Sequence, residues 1–265
     1  MGTIGFIGAG NMAKAIIQAI LRKKLYTADR IGIYDHHSSH YPWFTKHGVQ
    51  AMEDEKKLAR FSDIIILSVK PQNYDNVLHQ IRGVSDSKTI VSIAAGISST
   101  FIKERLGKDT KVVLVMPNTP LSLGEGATAI CRCLPTSDDE FSAIKAVFAS
   151  GGVVQELPEK LMNAVISVNG SSPAYVYLFA KSVIDGAVKQ GIDAETAKSL
   201  ICQVLIGSAK MLIHSDKSLD ELIQAVSSKG GTTIAALDQL YAHNFESAIV
   251  DAMDHCTKRA EELGK

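Results

Sequence analysis

The sequence predicts an α/β protein with a doubly wound sheet over residues 1–158, followed by a domain of helices alone over residues 159–265. Two observations predict this class. Short apolar runs typical of buried parallel strands alternate with amphipathic helical stripes as far as Pro158. Beyond that proline helical periodicity continues without a convincing strand. We therefore expect a domain boundary near residue 158.

The first predicted strand ends in a glycine-rich turn that opens a helix. Its apolar run, Thr3–Ile7, stops at Gly8-Ala9-Gly10, and a helical apolar stripe begins at Met12. A dinucleotide-binding motif requires glycines in this context. Gly8 would allow the tight turn, and Gly10 would let the backbone and the helix amides approach a pyrophosphate. The plainer alternative is a strand-turn-helix with incidental glycines.

The second predicted strand, Arg30–Asp35, ends in an acidic residue. Dinucleotide-binding folds place such a residue about 20 residues beyond the glycine turn. Such a carboxylate accepts hydrogen bonds from the adenosine ribose hydroxyls and repels a 2′-phosphate. Asp35 therefore predicts a modest preference for NADH. His36 and His37 follow it and would favour the phosphate in part, more so when protonated. The alternative for most of this segment is a polar surface loop.

The rest of the predicted sheet consists of five apolar runs. The clearest, Asp63–Val69, is apolar along almost its whole length and stops at Lys70-Pro71, which suits a strand buried on both faces. In a doubly wound sheet such strand ends lie over a bound dinucleotide. The capping box Ser137–Glu140 opens a further helix. The other strands are predicted at Thr89–Ile93, Lys111–Met116, Gly126–Arg132 and Gly152–Leu157.

The C-terminal domain is predicted to hold five helices that are rich in apolar residues. Helices this apolar need a partner, either their own core or a second subunit. Pro173 should kink the first of them, and Asp193 is the expected N-cap of the second. Their predicted ranges are Leu161–Lys189, Asp193–His214, Leu219–Val226, Thr232–Tyr241 and Glu246–Leu263.

Two stretches of this domain concentrate residues that suit a binding site. Asn169–Tyr175 combines small residues with a proline, which fits either a tight helix crossing or a substrate site. Val226–Thr233 contains two glycines and four hydroxyls and leads into the predicted helix that starts at Thr232. Free amide groups at such a helix start would bind a carboxylate. A cluster of capping hydroxyls is the alternative.

The composition excludes several classes of protein. Lys plus Arg and Asp plus Glu both total 28, so no bulk charge favours nucleic acid or an anionic membrane. No charge-free run of 18 apolar residues and no leader peptide is recognised, so a cytoplasmic protein is expected. Cys131 and Cys133 would share a strand face. They fit reduced thiols better than half of a metal site, and no metal is expected.

Together these motifs resemble the pyrroline-5-carboxylate reductase family, whose members make proline. The resemblance covers nearly the whole chain, and the C-terminal motif Ser228–Thr233 is much more specific than the glycine turn. The matching stretches are Gly5–Ala13, Ser68–Pro71, Ala94–Gly96, Met116–Pro120, Gly170–Tyr175 and Ser228–Thr233.

The resemblance implies a Rossmann-type domain followed by a helical dimerisation domain. It also implies hydride transfer from NAD(P)H to 1-pyrroline-5-carboxylate, giving L-proline in the last step of proline biosynthesis. In this family the active sites lie at the subunit interface, and the homodimers often assemble further into decamers.

Carried over motif by motif, the resemblance assigns roles to individual residues. Thr233 and Ser228 become the catalytic residues, with Thr233 facing the ring nitrogen and Ser228 helping to hold the carboxylate. Asp35 and His36 join the cofactor site by the argument above. The other substrate-binding residues are Gly230, Gly231 and Thr232, and the other cofactor-binding residues are Gly8, Ala9, Gly10, Asn11, Met12, Val69, Lys70, Pro71, Ala94 and Ala95.

Three positions depart from the family pattern and keep alternatives open. Asn169 and Ser172 replace a serine and a glycine of the family, and Lys229 replaces a common proline. One alternative is therefore a non-catalytic, regulatory nucleotide-binding member. Another is a related imine reductase or 3-hydroxyacid dehydrogenase. Those enzymes carry a helix lysine with asparagine four residues on, whereas Lys181 here is followed by Asp185.

Overall fold

The computed structural model describes residues 2–264, apart from the side chain of Ser38. Met1 and Lys265, the outer ends of the two predicted domains, lie outside the described residues. The chain divides into a sheet unit, which runs to Ser171 and resumes at Asp254, and a helical unit, Ser172–Met253. The boundary near residue 158 stays a prediction.

A sheet with the strand order β3-β2-β1-β4-β5-β6-β7-β8 forms the centre of the sheet unit. Every neighbouring pair is parallel except β6 with β7. The order runs in opposite directions from β1, so the crevice between β1 and β4 is the switch point where such sheets bind ligands. This confirms the predicted fold class. The strands are β1 Ile4–Ile7, β2 Ile31–Tyr34, β3 Gln50–Ala51, β4 Ile64–Leu67, β5 Thr89–Ser92, β6 Lys111–Met116, β7 Gly126–Cys133 and β8 Gly152–Glu156.

Helices cover both faces of the sheet because successive strand residues point to opposite sides. Ile4 and Phe6 pack in one apolar layer, and Ile7 packs in the other. The predicted capping box at Ser137 and Glu140 is confirmed at the start of α6. The helices of this unit are α1 Asn11–Arg22, α2 Tyr41–Lys46, α3 Glu55–Phe61, α4 Tyr74–Ile81, α5 Ser99–Leu106 and α6 Asp138–Ala149.

Strand β7 runs antiparallel to β6, which the sequence analysis did not anticipate. Only residues 117–125 connect the two strands, and a parallel crossover needs a dozen or more. Cys131 and Cys133 are both buried against the same apolar layer, as the alternation along a strand predicts.

The predicted continuous helix from Leu161 to Lys189 is wrong. A 3-10 turn, Glu159–Leu161, and a π-helical segment, Ile166–Gly170, come first, and α7 then begins at Ser172. Pro173 lies in the first turn of α7. Backbone N–H groups in that turn have no acceptor within the helix, so a proline there costs no helical hydrogen bond. The proline therefore starts a helix and does not kink one.

The helical unit consists of α7 Ser172–Lys189, α8 Ala194–His214, α9 Leu219–Ala225, α10 Thr232–Ala242 and the first part of α11 Phe245–Leu263. Asp193 caps α8 as predicted, accepting a hydrogen bond from Thr196 N–H at 2.9 Å. By length and composition alone, α8 is the one described helix that could cross a membrane. Its sequence is not free of charge, because α8 carries charged residues near both ends.

Large apolar side chains lie exposed along α7 and α8. Leu178 is 65% exposed and Ile213 is 73% exposed. Within α7 to α10 as described, Ala197 and Ile201 are the only buried residues. A soluble chain rarely leaves so much apolar surface in water, so these helices need a covering partner.

Candidate active site

The glycine turn after β1 is held between β2 and β4. Gly8 has a φ of +101°, and a Cβ atom there would lie 2.6 Å from the carbonyl oxygen of Ser68. Its N–H donates to Tyr34 O at 2.7 Å, and the Ser68 hydroxyl donates to Gly8 O at 2.6 Å. Only glycine fits this conformation and this space, so the predicted role of Gly8 in the tight turn has a physical basis.

Gly10 caps α1 with ordinary extended backbone, φ −77° and ψ −171°. Among the described residues, no atom lies within 4 Å of where its Cβ would be. The first amides of α1 have no helical acceptors, and no side chain at the cap binds them in the described part of the chain. The missing side chain therefore leaves an open cradle of amides at the positive end of a helix, which fits a pyrophosphate.

Asp35, directly after β2, ties this turn to the next loop. Its Oδ2 accepts from Ala9 N–H at 2.7 Å, and its Oδ1 accepts from His37 N–H at 2.8 Å. His40 Nδ1 lies 3.2 Å from Oδ2. Burial opposes ionisation, but these hydrogen bonds outweigh it and hold the pKa of Asp35 below its usual value. The carboxylate is therefore anionic, and most of its acceptor positions are already used.

A cavity of about 430 Å³ opens at the switch point and brings together half of the predicted cofactor residues. A second cavity, of about 360 Å³, shares Gly10 and is also lined by Ala9, Asn11 and Lys14. The remaining predicted residues, Met12, Pro71, Ala94 and Ala95, are half-buried and line neither of these two cavities. The predicted residues that line the first cavity are Gly8, Gly10, Asp35, His36, Val69 and Lys70.

Buried hydrogen bonds fix the strand ends beside this cavity. The Tyr74 hydroxyl donates to Leu67 O at 3.0 Å and lies 2.9 Å from Ser92 Oγ, which joins the ends of β4 and β5. Burial raises the pKa of Tyr74, so the phenol stays protonated. After β5, Gly96 has a φ of +81°, and a Cβ there would lie 2.4 Å from Ala260 O. The Ala94–Gly96 turn therefore has little freedom to move.

Two buried asparagines connect the end of β6 to the π-helical segment. Asn169 Nδ2 donates to Met116 O at 2.7 Å and to Ala127 O at 2.8 Å. Asn118 Nδ2 donates to Asn169 O at 3.1 Å. A serine at position 169 would be too short to reach both carbonyls. The departure from the family pattern at this position thus has a structural role in this chain.

The Ser228–Thr233 loop forms a second amide cluster, in the helical unit. Gly230 has a φ of +71°, and Gly231 caps α10, where a Cβ would lie 2.5 Å from Ser228 Oγ. As far as the structure describes the loop, no cap side chain binds the first amides of α10. The capping alternative therefore lacks the hydrogen bond that it needs. Thr233 is half-buried, and Ser228, Lys229 and Thr232 are exposed.

The predicted residues thus form two sets. The cofactor set belongs to the sheet unit, and the substrate set belongs to the helical unit. The predicted site residues do not include Ser68 or His40. Ser68 had a signal, because it opens the Ser68–Pro71 motif. The contact of His40 with Asp35 had no local signal, because it forms only through the tight turn at residues 38–40.

The described residues contain no group of three His, Cys, Asp or Glu side chains that could hold a metal ion. All four cysteines are free. Cys133 Sγ lies 3.6 Å from Glu159 Oε2. A hydrogen bond with Cys131, together with burial, raises the pKa of Cys133, so this thiol stays protonated.

The doubly wound sheet and the amide cradle define a dinucleotide-binding domain. A family model described as an F420-dependent NADP oxidoreductase matches residues 3–96, and the pyrroline-5-carboxylate reductase dimerisation model matches residues 159–263. The chain belongs to the pyrroline-5-carboxylate reductase family. It is 35% identical over 263 residues to the reductase of Synechocystis, covering 99% of this chain and 98% of that one. It is 33% identical over 267 residues to the reductase of Escherichia coli, with the same coverage.

Solved structures give the same relationship. The Plasmodium falciparum pyrroline carboxylate reductase with NADP bound superposes with a TM-score of 0.92 at 30% identity. It covers 99% of this chain and 98% of its own. The reductase of Coxiella burnetii has a TM-score of 0.89 at 30% identity, covering 100% of this chain and 99% of its own.

Proposed function

We propose that this chain is a pyrroline-5-carboxylate reductase that converts 1-pyrroline-5-carboxylate to L-proline with NAD(P)H, the last step of proline biosynthesis. The observation that carries the proposal is the full-length similarity to reductases of this name. The amide cradle at Gly10 supports the cofactor class, because a side chain there would fill the space that a pyrophosphate needs.

In this proposal the sheet unit binds the cofactor, and the bound nicotinamide supplies the hydride. The turn and first amides of α1 hold the pyrophosphate, and Asp35 and His36 border the adenosine ribose. The ends of β4 and β5 flank the rest of the dinucleotide. The residues assigned to the pyrophosphate are Gly8, Ala9, Gly10, Asn11 and Met12, and those assigned to the flanks are Val69, Lys70, Pro71, Ala94 and Ala95.

The helical unit binds the substrate in this proposal. Ser228, Gly230, Gly231 and Thr232 hold its carboxylate at the start of α10, where the amides and the helix dipole favour an anion. Thr233 hydrogen-bonds the ring nitrogen. This loop contains no His, Asp or Glu, which suits an imine that arrives already protonated. The residues therefore act mainly by orienting the imine carbon for hydride transfer.

The decisive experiment measures oxidation of NADH and NADPH by the purified chain with and without pyrroline-5-carboxylate. We expect oxidation only when this substrate is present, with proline as the product. Nucleotide binding without substrate-dependent oxidation would favour the regulatory alternative. Lys181 and Asp185 form an exposed ion pair at 2.5 Å, which gives no support to the lysine-asparagine pair of the dehydrogenase alternative.

We also propose a homodimer formed through the dimerisation domain, with a decamer as the further possible assembly. The exposed apolar faces of α7 and α8 support it, because a second copy would remove them from water. We expect sedimentation to show a dimer or a larger species at micromolar concentration. A stable, active monomer would contradict this. We assign the enzyme to the cytoplasm, with no nucleic-acid or membrane partner.

Asp35 provides a test of cofactor preference. We propose a modest preference for NADH, because an ionised carboxylate repels the 2′-phosphate of NADPH. Asp35→Ser should shift the ratio of kcat/KM values toward NADPH by about 10-fold, the effect of roughly one charge interaction. The same substitution at exposed Asp86 should leave the ratio unchanged. A wild-type protein that prefers NADPH at neutral pH would contradict the ribose role of Asp35.

A further inference from the structure

We propose that His37 and His40 form a proton-dependent subsite for the 2′-phosphate of NADPH, so that acidification shifts the dinucleotide preference from NADH toward NADPH. This inference rests on the proposed function and names two specificity residues of the same cofactor site. Three of the eight histidines of the chain, His36, His37 and His40, line the cavity at the switch point.

The two rings of the proposed subsite lie next to each other after β2. Their centroids are 5.7 Å apart at an interplanar angle of 67°, and both side chains are exposed. His40 places Nδ1 3.2 Å from Asp35 Oδ2, which leaves its Nε2 on the opposite side of the ring. Two imidazoles at this spacing can both donate to one phosphate group once they are protonated.

His36 is held by other groups. Its Nδ1 lies 3.2 Å from the Tyr34 hydroxyl, and its Nε2 lies 3.5 Å from Oε1 of the buried Glu55. Both ring nitrogens therefore have partners within α3 and β2, and the charge of a protonated His36 would be balanced by Glu55. This separates His36 from the other two histidines, which the sequence alone could not do.

The surrounding charges set the direction of the effect. The Asp35 carboxylate stays anionic. The backbone N–H of Asp35 donates to the Tyr41 hydroxyl at 2.9 Å. Lys70 also lines the cavity, and Lys14 lines the adjoining cavity with His40. With neutral imidazoles, Asp35 repels a second anion. With protonated imidazoles at His37 and His40, the local charge reverses in favour of phosphate.

The test measures the affinities of adenosine 5′-monophosphate and adenosine 2′,5′-bisphosphate by calorimetry at pH 6 and pH 8. The ratio of the two dissociation constants isolates the 2′-phosphate. We expect the ratio to move at least about 10-fold toward the bisphosphate on acidification, since two charge-assisted hydrogen bonds form. The 2′-phosphate itself gains a proton near pH 6, which opposes the shift equally in every variant.

The variant His37→Asn/His40→Asn should lose most of this shift. The control variant His79→Asn, at an exposed position in α4, should keep it. A wild-type ratio that does not change with pH, or a shift that the double variant retains, would overturn the subsite. Binding of adenosine 5′-monophosphate by all variants confirms an intact adenosine site. Failure of the wild type to bind it would count against the proposed function and, with it, against this inference.

Discussion

Replacing Gly10 with alanine is expected to weaken dinucleotide binding by about 10- to 100-fold while leaving the stability of the free protein unchanged. The free protein has room for the added methyl group, because no described atom lies within 4 Å of its position. The backbone at Gly10 has dihedral angles that any residue adopts. The methyl group would instead occupy space beside the first amides of α1, where the pyrophosphate must approach.

Gly8→Ala supplies the contrast. Its positive φ and the 2.6 Å approach to Ser68 O predict a loss of about 2–4 kcal/mol in the free energy of unfolding. Gly186→Ala, in α7, adds a methyl group in similarly open space and should leave the affinity unchanged. The measurements are NADH titration calorimetry and thermal unfolding. An unchanged affinity in Gly10→Ala would remove this turn from the cofactor site.

The parts of the fold that follow from local signals could be predicted from the sequence. The strand at Ile64–Leu67 is a continuous apolar run, and the turn at Gly8 and Gly10 interrupts such a run before a helical stripe. These signals extend over a few residues and need no knowledge of the partner elements. The doubly wound class also followed, because alternation of strands and helices allows few topologies.

The parts that depend on distant partners could not be predicted. Asp35 was predicted as a ribose acceptor, but its contacts with Ala9 and His40 were not predicted, because no local pattern encodes them. Next to the helix break before Ser172, Asn169 binds Met116 O and Ala127 O, which are brought near only by the sheet. Helical periodicity continued across that break, so periodicity alone suggested one long helix.

The helical unit shows the same limit in its packing. Its apolar stripes predicted helices, and the structure has helices there. Periodicity identifies an apolar face but does not say what covers it, and the exposed side chains of α7 and α8 are the consequence. Residues 159–263 match the dimerisation domain of the family, which implies that a second chain covers these side chains.

The second large effect is expected at Thr233, where Thr233→Val should lower kcat/KM for pyrroline-5-carboxylate by roughly 10- to 1000-fold. The substrate is small, so each polar contact fixes a large share of its orientation. In the proposed site the amides from Gly230 to Thr232 satisfy its carboxylate, which leaves the ring nitrogen about one ring-width away without a partner. Thr233 stands in the same first turn of α10 and carries an uncharged hydroxyl.

The hydroxyl should act mainly on the rate, not on binding alone. The ring nitrogen changes from imine to amine as the carbon is reduced, so a hydrogen bond to it strengthens along the reaction. Interactions that strengthen toward the transition state raise kcat. Valine keeps the shape of threonine and removes only the hydroxyl, so the loss in kcat should exceed the change in KM. Cofactor affinity should change little, because the residues proposed to bind the dinucleotide belong to the sheet unit.

Thr233→Ser is the matched control, since it keeps the hydroxyl and removes only the methyl group. It should retain most of the activity. A purely structural Thr233 would give the opposite pattern. Both variants would then lose stability as a helix start is disturbed, and kcat/KM of the folded protein would stay at the wild-type value. Steady-state kinetics together with thermal unfolding separate these cases. Full kcat/KM in a folded Thr233→Val protein would exclude Thr233 from the active site and leave the ring nitrogen to another donor.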